Sequence, residues 1–469
     1  MTAQQAPRSS TTAPHRFNPV ILREYDIRGI VGEQFDARDA YYVGRVFGSF
    51  VVREGGSRVC IGYDGRPTSP DLAAQVARGL ADCGLSVELI GLGPTPMLYF
   101  SVRDRLSDAG VMITGSHNPA GYNGFKLSLQ SRPVYGAMIA QLGEMAASGD
   151  FVDGEGSIRE IDVRESYITR LLKDFTNERA LKVAWDIGNG AAGAVIRDLV
   201  AKLPGEHILL FDDIDGTFPN HHPDPTVDKN LDDLRRTVQD EKCDVGIAFD
   251  GDADRIGVID ENGRIVRCDT LLGIYAAEVL EAFPDAPIIA DVKCSQNLFD
   301  EIKRLGGVPL MWKTGHSPIK AKMAETKAPL AGELSGHIFF NDKYYGYDDG
   351  LYCAIRLLNI LAGDEKPLSS YIAHLPALIS TPEQRIAVEE DIKFTIAPKI
   401  LAHLRETQEE GVEINDIDGI RVTSSAGWWL VRPSNTEAAL VVRMEASSLE
   451  ALEKMKETVS HEIDRARNS

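Results

Sequence analysis

The sequence predicts an α/β protein with three similar mixed α/β domains and a smaller C-terminal α+β domain. A strand, a turn that carries glycine or serine, a helix and a second strand follow one another three times, beginning at Arg58–Tyr63, Lys182–Asp186 and Pro287–Val292. This βαβ pattern requires its two strands to pair in parallel through a right-handed crossover. Successive copies start about one hundred residues or more apart, whereas solenoid repeats measure roughly 20–50 residues, so the copies indicate separate domains.

The last hundred residues show a different pattern, in which β-type runs surround a glycine-containing turn and Glu450–Arg467 has helical spacing. A chain of 469 residues is also longer than one hydrophobic core usually holds. We predict these boundaries: a disordered tail over 1–16, α/β domain I with the serine loop over 17–160, α/β domain II with an aspartate loop over 161–263, α/β domain III over 264–376, and the C-terminal α+β domain over 377–469.

The N-terminal tail is rich in Ser, Thr, Pro and Gln, carries Arg8 and Arg16, and contains no acidic residue. An organelle transit peptide is one interpretation of this composition. The stretch is short and has no apolar core or amphipathic stripe, which favours a disordered tail instead.

Charge and cysteine content narrow the classes of partner and compartment. The 50 Lys and Arg residues against 70 Asp and Glu give a net charge of −20, which argues against nucleic acid or an anionic membrane as the main partner. No apolar run approaches the roughly 18 residues of a membrane-spanning helix. Six scattered cysteines without a CxxC pair or a metal-like spacing fit reduced thiols. We therefore expect a cytoplasmic protein. Because the protein is strongly acidic, a site for an anionic ligand would need a local concentration of cationic side chains.

A loop with glycine and serine follows one of the apolar strands. Ala109–Thr114 is typical of a buried parallel strand, and Gly115–Pro119 (GSHNP) comes directly after it. Open α/β sheets bind ligands beyond the carboxyl ends of their strands, where glycines let the backbone approach a phosphate. Ser116 alone is a weak indication, because most serines in such places are turn or N-cap residues. The lack of a GxSxG elbow argues against a serine hydrolase.

Three aspartates at alternate positions form a second candidate site. The apolar strand Cys243–Phe249 precedes Asp250, Asp252 and Asp254, and a further strand-like run, IGVID, follows. Bare carboxylates so close together repel one another, and a hard cation such as Mg²⁺ relieves the repulsion by taking oxygen ligands. An acidic surface turn is the alternative, but apolar strands on both sides make it less consistent with the pattern. An EF-hand is disfavoured because strand-like residues separate the loop from Glu261.

Seven motifs occur in order along the chain: REYDIRG (23–29), TGSHNP (114–119), DGDADR (250–255), DVKCS (291–295), KTGHSPIK (313–320), GELSGH (332–337) and RPSNTE (432–437). Through them, from about Phe17 to Arg443, the chain resembles the α-D-phosphohexomutase superfamily, and within it the bacterial phosphomannomutase/phosphoglucomutase group. The resemblance implies four domains around a central cleft. It also implies a phosphohexose mutase that interconverts hexose 1-phosphate and hexose 6-phosphate, of mannose or glucose or both, through an enzyme phosphoserine and a 1,6-bisphosphate intermediate.

The resemblance further implies roles for individual residues. Ser116 would carry the phosphoryl group, and the other catalytic residues would be Arg28, Lys126 and His337. The metal ligands would be Ser116, Asp250, Asp252 and Asp254. The substrate-binding residues would be Tyr25, Arg255, Lys293, His316, Glu333, Ser335, Gly336, His337, Arg432, Ser434, Asn435 and Thr436. Glu333 and Ser335 would bind sugar hydroxyls, and the residues from Arg432 to Thr436 would clamp the phosphate that is not reacting. The implied cofactors are Mg²⁺ and a hexose 1,6-bisphosphate activator, and the implied partners are small hexose phosphates.

The sequence departs from the family pattern in two places and leaves alternatives open. Ala253 stands where many relatives carry glycine, and no proline follows the RPSNTE motif. Phosphoglucosamine mutase is one alternative, although that group more often has glutamine at the position of Leu334. A sugar-phosphate phosphatase with Asp250 as nucleophile would leave TGSHNP and RPSNT without a function. A silent sugar-phosphate binder would have lost Ser116 or an aspartate, and all are present.

Overall fold

The chain is described by a computed structural model that covers residues 12–130, 132–389, 392–407, 411–434 and 438–468. These residues form two compact units. Unit 1 contains the described residues up to Cys268 together with Ser335–Ser370, and unit 2 contains Asp269–Leu334 and the described residues from Tyr371 onward.

The elements are numbered in chain order. The strands are β1 (Ile27–Ile30), β2 (Arg58–Tyr63), β3 (Ser86–Leu92), β4 (Ala109–Ile113), β5 (Tyr122–Leu129), β6 (Ser157–Glu160), β7 (Leu181–Asp186), β8 (Gly205–Leu210), β9 (Val245–Phe249), β10 (Ile256–Asp260), β11 (Ile265–Val266), β12 (Pro287–Asp291), β13 (Val308–Trp312), β14 (Leu330–Gly332), β15 (Ile338–Phe340), β16 (Ile379–Ser380), β17 (Gln384–Ala387), β18 (Glu413–Asn415), β19 (Ile420–Ser424), β20 (Gly427–Pro433) and β21 (Ala439–Ala446). The α-helices are α1 (Ala37–Arg53), α2 (Ser69–Ala81), α3 (Thr95–Asp104), α4 (Ala137–Ser148), α5 (Arg164–Leu172), α6 (Ile196–Val200), α7 (Asp232–Glu241), α8 (Cys268–Ala282), α9 (Gln296–Arg304), α10 (His316–Thr326), α11 (Gly350–Gly363), α12 (Lys393–Thr407) and α13 (Leu449–Asn468).

The first sheet of unit 1 has the strand order β1-β5-β4-β2-β3-β6. Strand β2 pairs in parallel with β3 and β4, whereas β5 is antiparallel to both β4 and β1. Helices α2 and α3 pack against β4, all five residues of which are buried. Because its side chains lie in the core, β4 is apolar throughout, as the sequence pattern indicated.

The second sheet of unit 1 has the order β11-β10-β9-β7-β8. Strand β9 is parallel to β7 and antiparallel to β10, and both β9 and β10 are fully buried. The aspartate loop therefore connects two buried strands. After β7, a 3-10 turn over Ala191–Ala194 precedes the short helix α6. Gly188, Gly190 and Gly193 are poor helix formers and lie before α6, in the turn that the sequence pattern predicted.

Unit 2 contains parallel strands in the order β13-β12-β14 and an antiparallel sheet in which β21, β20, β19 and β18 are neighbours. Helices α12 and α13 cover the antiparallel sheet with a shared apolar core. All three predicted βαβ repeats pair in parallel, as β2–β3, β7–β8 and β12–β13. The predicted fold class, with three mixed α/β domains and a C-terminal α+β domain, is confirmed; the domain boundaries stay a prediction.

The six cysteines are buried and free. Within the described ranges, every helix is too short or too polar to cross a membrane.

Candidate active site

Ser116 lies just beyond the carboxyl end of β4 in a buried loop. Its side chain is almost wholly covered, with 2% of the residue exposed, and its backbone is left-handed with φ +49°. The Oγ atom lies 3.2 Å from Oδ2 of Asp250 and 3.1 Å from Nδ1 of His117. Thr114 Oγ1 accepts a hydrogen bond from the amide of Ser116 at 2.8 Å. The serine hydroxyl is thus fixed against the aspartate loop.

Asp250, Asp252 and Asp254 are fully buried between β9 and β10. Gly251 separates the first two, and a Cβ atom there would lie 2.5 Å from the carbonyl oxygen of Ser116. Only glycine permits this close approach of the two loops. Ala253 adopts φ +59°, a conformation that the more usual glycine would adopt without cost, so the substitution noted in the sequence is accommodated with some strain.

Lys126 supplies a buried positive charge beside these carboxylates. From β5, its ammonium donates to Oδ2 of Asp252 at 2.7 Å and also to Asp254. Burial acts to lower the pKa of Lys126, but the two carboxylates outweigh it and raise that pKa well above its usual value. Lys126 therefore stays protonated.

The aspartates respond differently to this environment. Burial raises the pKa of Asp250 well above its ordinary value, and repulsion from Asp254 and Asp252 adds to the shift. For Asp252, burial also acts to raise the pKa, but Lys126 and a hydrogen bond from Thr95 lower it. Lys126 thus compensates the charge of Asp252, whereas Arg255 and Lys126 only partly offset the effects that raise the pKa of Asp250.

The aspartate loop fits a divalent cation. The candidate ligand atoms of the three aspartates lie within 4.8 Å of one another. Oδ1 of Asp252 is buried and accepts no hydrogen bond from any described residue, a costly state that a cation would relieve. The donors are all carboxylate oxygens, the ligand type that suits Mg²⁺.

Arg28 lies on β1, next to the serine loop. Its guanidinium donates to Oδ1 of Asn118 at 2.6 Å and to the carbonyl of Gly115 at 3.5 Å, and it also pairs with Asp26. Tyr25, two residues before β1, is partly exposed. The REYDIRG motif therefore brings a cation to the loop that carries Ser116.

His337 joins Arg255 to the carboxylate of Asp348. Arg255 Nε, which can only donate, lies 2.9 Å from His337 Nε2, so that nitrogen accepts. Nδ1 must then carry the proton, and it lies 3.0 Å from Asp348 Oδ2 and 3.5 Å from Asp254 Oδ1. The two carboxylates thus lie close to the protonated face of the His337 ring. Ser335 and Gly336 precede this histidine, and Gly336 has φ +99°.

Unit 2 holds a second group of the predicted residues. Lys293 Nζ lies 3.8 Å from Asp291 Oδ2 and 3.4 Å from Glu383 Oε2; burial acts to lower its pKa, but these carboxylates raise it. Glu333 Oε1 accepts a hydrogen bond from the amide of Gly315 at 2.6 Å. Gly315 directly precedes the partly exposed His316, the first residue of α10.

Arg432 is held by a carboxylate that the sequence did not single out. Its Nε donates to Oδ2 of Asp418 at 3.0 Å, and the same oxygen accepts from the amide of Thr314. Nη2 of Arg432 is buried and has no hydrogen-bond partner within the described ranges. Ser434, two residues after Arg432, is also buried. The predicted Asn435 and Thr436 lie outside the described residues.

Sequence reasoning missed several residues of these sites. Asp64 and Arg66 hold the serine loop, Asp348 orients His337, and Asp291 and Asp418 tie loops of unit 2 together. A signal existed for the first two, because the DGRPTS loop follows β2 just as the serine loop follows β4. Asp418 has no such signal.

Four family models match successive parts of the chain. They describe the alpha/beta/alpha domains I, II and III and the C-terminal domain of phosphoglucomutase/phosphomannomutase, and they match residues 19–151, 165–263, 267–378 and 383–462.

Individual proteins resemble the chain over almost its whole length. A phosphomannomutase/phosphoglucomutase of Pseudomonas aeruginosa is 44% identical over 443 residues, which cover 94% of this chain and 95% of that protein. A phosphoglucomutase of Neisseria meningitidis is 43% identical over 437 residues, or 93% and 95% of the two chains. The crystal structure of a phosphoglucomutase/phosphomannomutase family protein from Burkholderia thailandensis has a TM-score of 0.90 at 41% identity, covering 96% of this chain and 98% of that one.

Proposed function

Because the chain belongs to the phosphoglucomutase/phosphomannomutase family, we propose that it is a phosphohexose mutase that interconverts the 1- and 6-phosphates of mannose and glucose. The observation that best supports the mechanism is the position of Ser116 Oγ, 3.2 Å from Asp250 at the buried aspartate loop. A hydroxyl beside a cation site is suited to accept and return a phosphoryl group.

The proposed cycle has two transfers. Phosphorylated Ser116 gives its phosphoryl group to the free hydroxyl of a hexose monophosphate, which yields the 1,6-bisphosphate. The bisphosphate turns around, and its other phosphoryl group returns to Ser116. In each transfer one P–O bond breaks and another forms, and the proton of the attacking hydroxyl ends on the oxygen that leaves. Free hexose 1,6-bisphosphate would act as the activator by phosphorylating any Ser116 that had lost its phosphate.

Asp250, Asp252, Asp254 and a phosphate oxygen on Ser116 would hold Mg²⁺, which supplies electron withdrawal from the transferring phosphoryl group. Lys126, which donates to Asp252 and Asp254, would stabilise charge beside the transferring phosphoryl group and assist proton movement at the attacking hydroxyl. Arg28 would stabilise the negative charge that builds up at the serine loop.

His337 and Arg255 form a linked pair in this proposal. Arg255 would bind substrate phosphate or hydroxyl groups, and Asp348 would keep the proton of His337 on Nδ1. In this tautomer Nε2 is the basic atom of the ring. Nε2 becomes available to a sugar hydroxyl once the guanidinium of Arg255 turns toward the substrate.

A further group of residues would recognise the substrate. We propose that Glu333 and Ser335 bind sugar hydroxyls. The residues that would clamp the phosphate remote from Ser116 are Arg432, Ser434, Asn435 and Thr436. The remaining proposed substrate contacts are Tyr25, Lys293, His316 and Gly336. The guanidinium of Arg432, with Nη2 not engaged by the described residues, can offer a phosphate two donors in fixed geometry.

The test is an assay of the purified chain with Mg²⁺, a catalytic amount of glucose 1,6-bisphosphate, and the 1-phosphates of mannose, glucose or glucosamine. We expect 6-phosphate products from mannose and glucose. Intact mass should show one phosphate on the active protein and none on Ser116→Ala, whose turnover should fall at least about 1,000-fold, as for loss of a covalent nucleophile. Ser101→Ala is the matched control, because Ser101 is buried in the same unit and its hydroxyl donates to the backbone carbonyl of Met97.

Other outcomes would point elsewhere. Release of inorganic phosphate without 6-phosphate would indicate a phosphatase, and turnover of glucosamine 1-phosphate alone would indicate a phosphoglucosamine mutase. Near-native turnover by Ser116→Ala would contradict the phosphoserine mechanism. A cytoplasmic location remains a prediction, which imaging of a tagged chain would check.

A further inference from the structure

One buried arginine, Arg66, holds the serine loop through several hydrogen bonds. Arg66 follows β2, the strand that pairs in parallel with β4, so their carboxyl ends meet at one edge of the sheet. Arg66 is 1% exposed. Its terminal nitrogens donate at 2.6–3.0 Å to the carbonyl oxygens of four loop residues: Ser116, Asn118, Pro119 and Tyr122.

Asp64 orients this arginine and reaches the loop itself. Its Oδ2 accepts from Arg66 Nε at 3.1 Å, from Thr114 Oγ1 at 2.8 Å and from the amide of Gly115 at 3.1 Å. Thr114 Oγ1 in turn accepts from the amide of Ser116 at 2.8 Å. Both the amide and the carbonyl of Ser116 are therefore held, through Thr114 or directly, by the Asp64–Arg66 pair.

All five N–H groups of the Arg66 side chain are used in these bonds, which a lysine cannot imitate. The ring of Phe218, from the loop after β8, covers the guanidinium at 5.1 Å. A Cβ atom on Gly115 would lie 2.4 Å from the guanidinium carbon. The space around Arg66 is thus filled by the loop it holds and by Phe218.

We infer that Asp64 and Arg66 are a positioning pair for phosphoryl transfer, which keeps Ser116 in its left-handed conformation and its Oγ aimed at the aspartate loop. This inference rests on the proposed function, because it assigns the pair an effect on the transfer at Ser116. A non-glycine residue with positive φ persists only where its surroundings over-determine it. Without the clamp the loop relaxes, and the hydroxyl leaves its place beside Asp250.

The expected consequence is loss of turnover rather than of binding. Displacement of a reacting group by 1 Å can reduce a rate about 100-fold. The pair contacts neither the proposed sugar-binding residues nor those of the phosphate clamp among the bonds described, so KM should change little. In the transfer measured, the P–O bond to the sugar breaks, a P–O bond to Ser116 Oγ forms, and the serine proton ends on the sugar oxygen.

Arg66→Lys tests the pair in the full chain. Unphosphorylated protein is mixed with glucose 1,6-bisphosphate and Mg²⁺, and phosphorylation of Ser116 is followed by intact mass. We expect the rate and kcat to fall about 100-fold with KM within about threefold, and amide hydrogen exchange over 114–122 to become faster. Arg45→Lys is the control, since Arg45 is another buried arginine of unit 1 that binds Asp153 and the carbonyl of Asp82. Arg45→Lys should lose a comparable amount of stability, but its phosphorylation rate, its kcat and its hydrogen exchange over 114–122 should not change.

Gly115→Ala is a second variant that leaves Arg66 itself intact. Its added Cβ displaces the guanidinium of Arg66. The phosphorylation rate and kcat should therefore fall, and hydrogen exchange over 114–122 should become faster, as in Arg66→Lys. Unchanged exchange over 114–122, or a loss of kcat no larger than that of Arg45→Lys, would overturn the inference. Wild-type Ser116 that takes up no phosphate at all would contradict the proposed function. Faster hydrogen exchange over 114–122 in Arg66→Lys would still show that Asp64 and Arg66 hold the serine loop.

Discussion

The two units contain opposite arrangements of charge. In unit 1, Asp250, Asp252 and Asp254 bring three buried carboxylates to one point, with Lys126 as the cation that bonds to two of them. In unit 2, Arg432 pairs with Asp418, and Lys293 lies close to Asp291 and Glu383. A cluster of like charges is stabilised by a cation, whereas a cation that is already paired is partly neutralised by its carboxylate.

This difference explains how an acidic protein can bind anionic ligands. The cluster in unit 1 can hold a metal that neutralises it, so the phosphoryl group meets a cationic rather than an anionic loop. The pairs in unit 2 keep arginine and lysine in place, and in the proposed function these cations would also bind a phosphate. The net charge of −20 therefore does not describe either site.

The largest expected effect breaks the cluster of unit 1. Asp252→Asn removes a proposed metal ligand and the partner of Lys126, and kcat should fall about 1,000-fold because a metal supplies several kcal/mol to charge stabilisation in the transition state. Sugar binding, measured by calorimetry, should change only a few-fold. Chelation should abolish wild-type activity and Mg²⁺ should restore it. Asp260→Asn is the control, because Asp260 is equally buried and accepts hydrogen bonds from the backbone amides of Asn262 and Arg264. Activity that survives thorough chelation would refute the metal assignment.

A smaller effect is expected from the paired charges of unit 2. Arg432→Lys keeps the charge but loses the two-donor fork, so KM should rise about tenfold with kcat within a few-fold. More bisphosphate should also escape into solution during turnover, while Ser116 remains phosphorylated. Chromatography of the reaction mixture measures the free bisphosphate. Arg385→Lys, at an arginine that is 49% exposed and pairs with Glu383, should leave both quantities unchanged. If Arg432→Lys behaves like this control, the phosphate clamp lies elsewhere.

The smallest effect concerns pH and contrasts one carboxylate of each unit. Burial raises the pKa of Asp349, the N-cap of α11, to about 6. For Glu383 burial also acts to raise the pKa, but Lys293 and Arg385 lower it. An acid whose folded pKa is raised stabilises the fold below its unfolded pKa of about 3.9, and that stability is lost as pH rises through the folded pKa.

Asp349→Asn removes this titration and keeps an oxygen for the helix cap. Between about pH 5.5 and 7.5 the wild type should lose on the order of 1 kcal/mol relative to the variant. Thermal melting followed by circular dichroism at constant ionic strength measures the difference. Melting curves that shift in parallel with pH would show that Asp349 is not the titrating group.

The sequence was sufficient for the elements that depend on local pattern. The apolar runs of β4 and β9 identified buried strands, and the loops after them brought Ser116 and Asp250 to the same place, as expected for strand ends. The DGRPTS loop after β2 was a signal for the place of Arg66, but its role could not be predicted from the sequence, because that role depends on the pairing of β2 with β4 and on backbone carbonyl groups that carry no sequence signal.

The left-handed backbone of Ser116 also restricts which amino acid can stand at this position. Threonine offers the same hydroxyl, but a β-branched residue at φ +49° is strongly disfavoured by contacts between its methyl group and its own backbone. Cysteine would meet the backbone requirement but replaces the oxygen by sulfur. Among the residues with an aliphatic hydroxyl, serine is thus the one whose shape and chemistry both suit this loop.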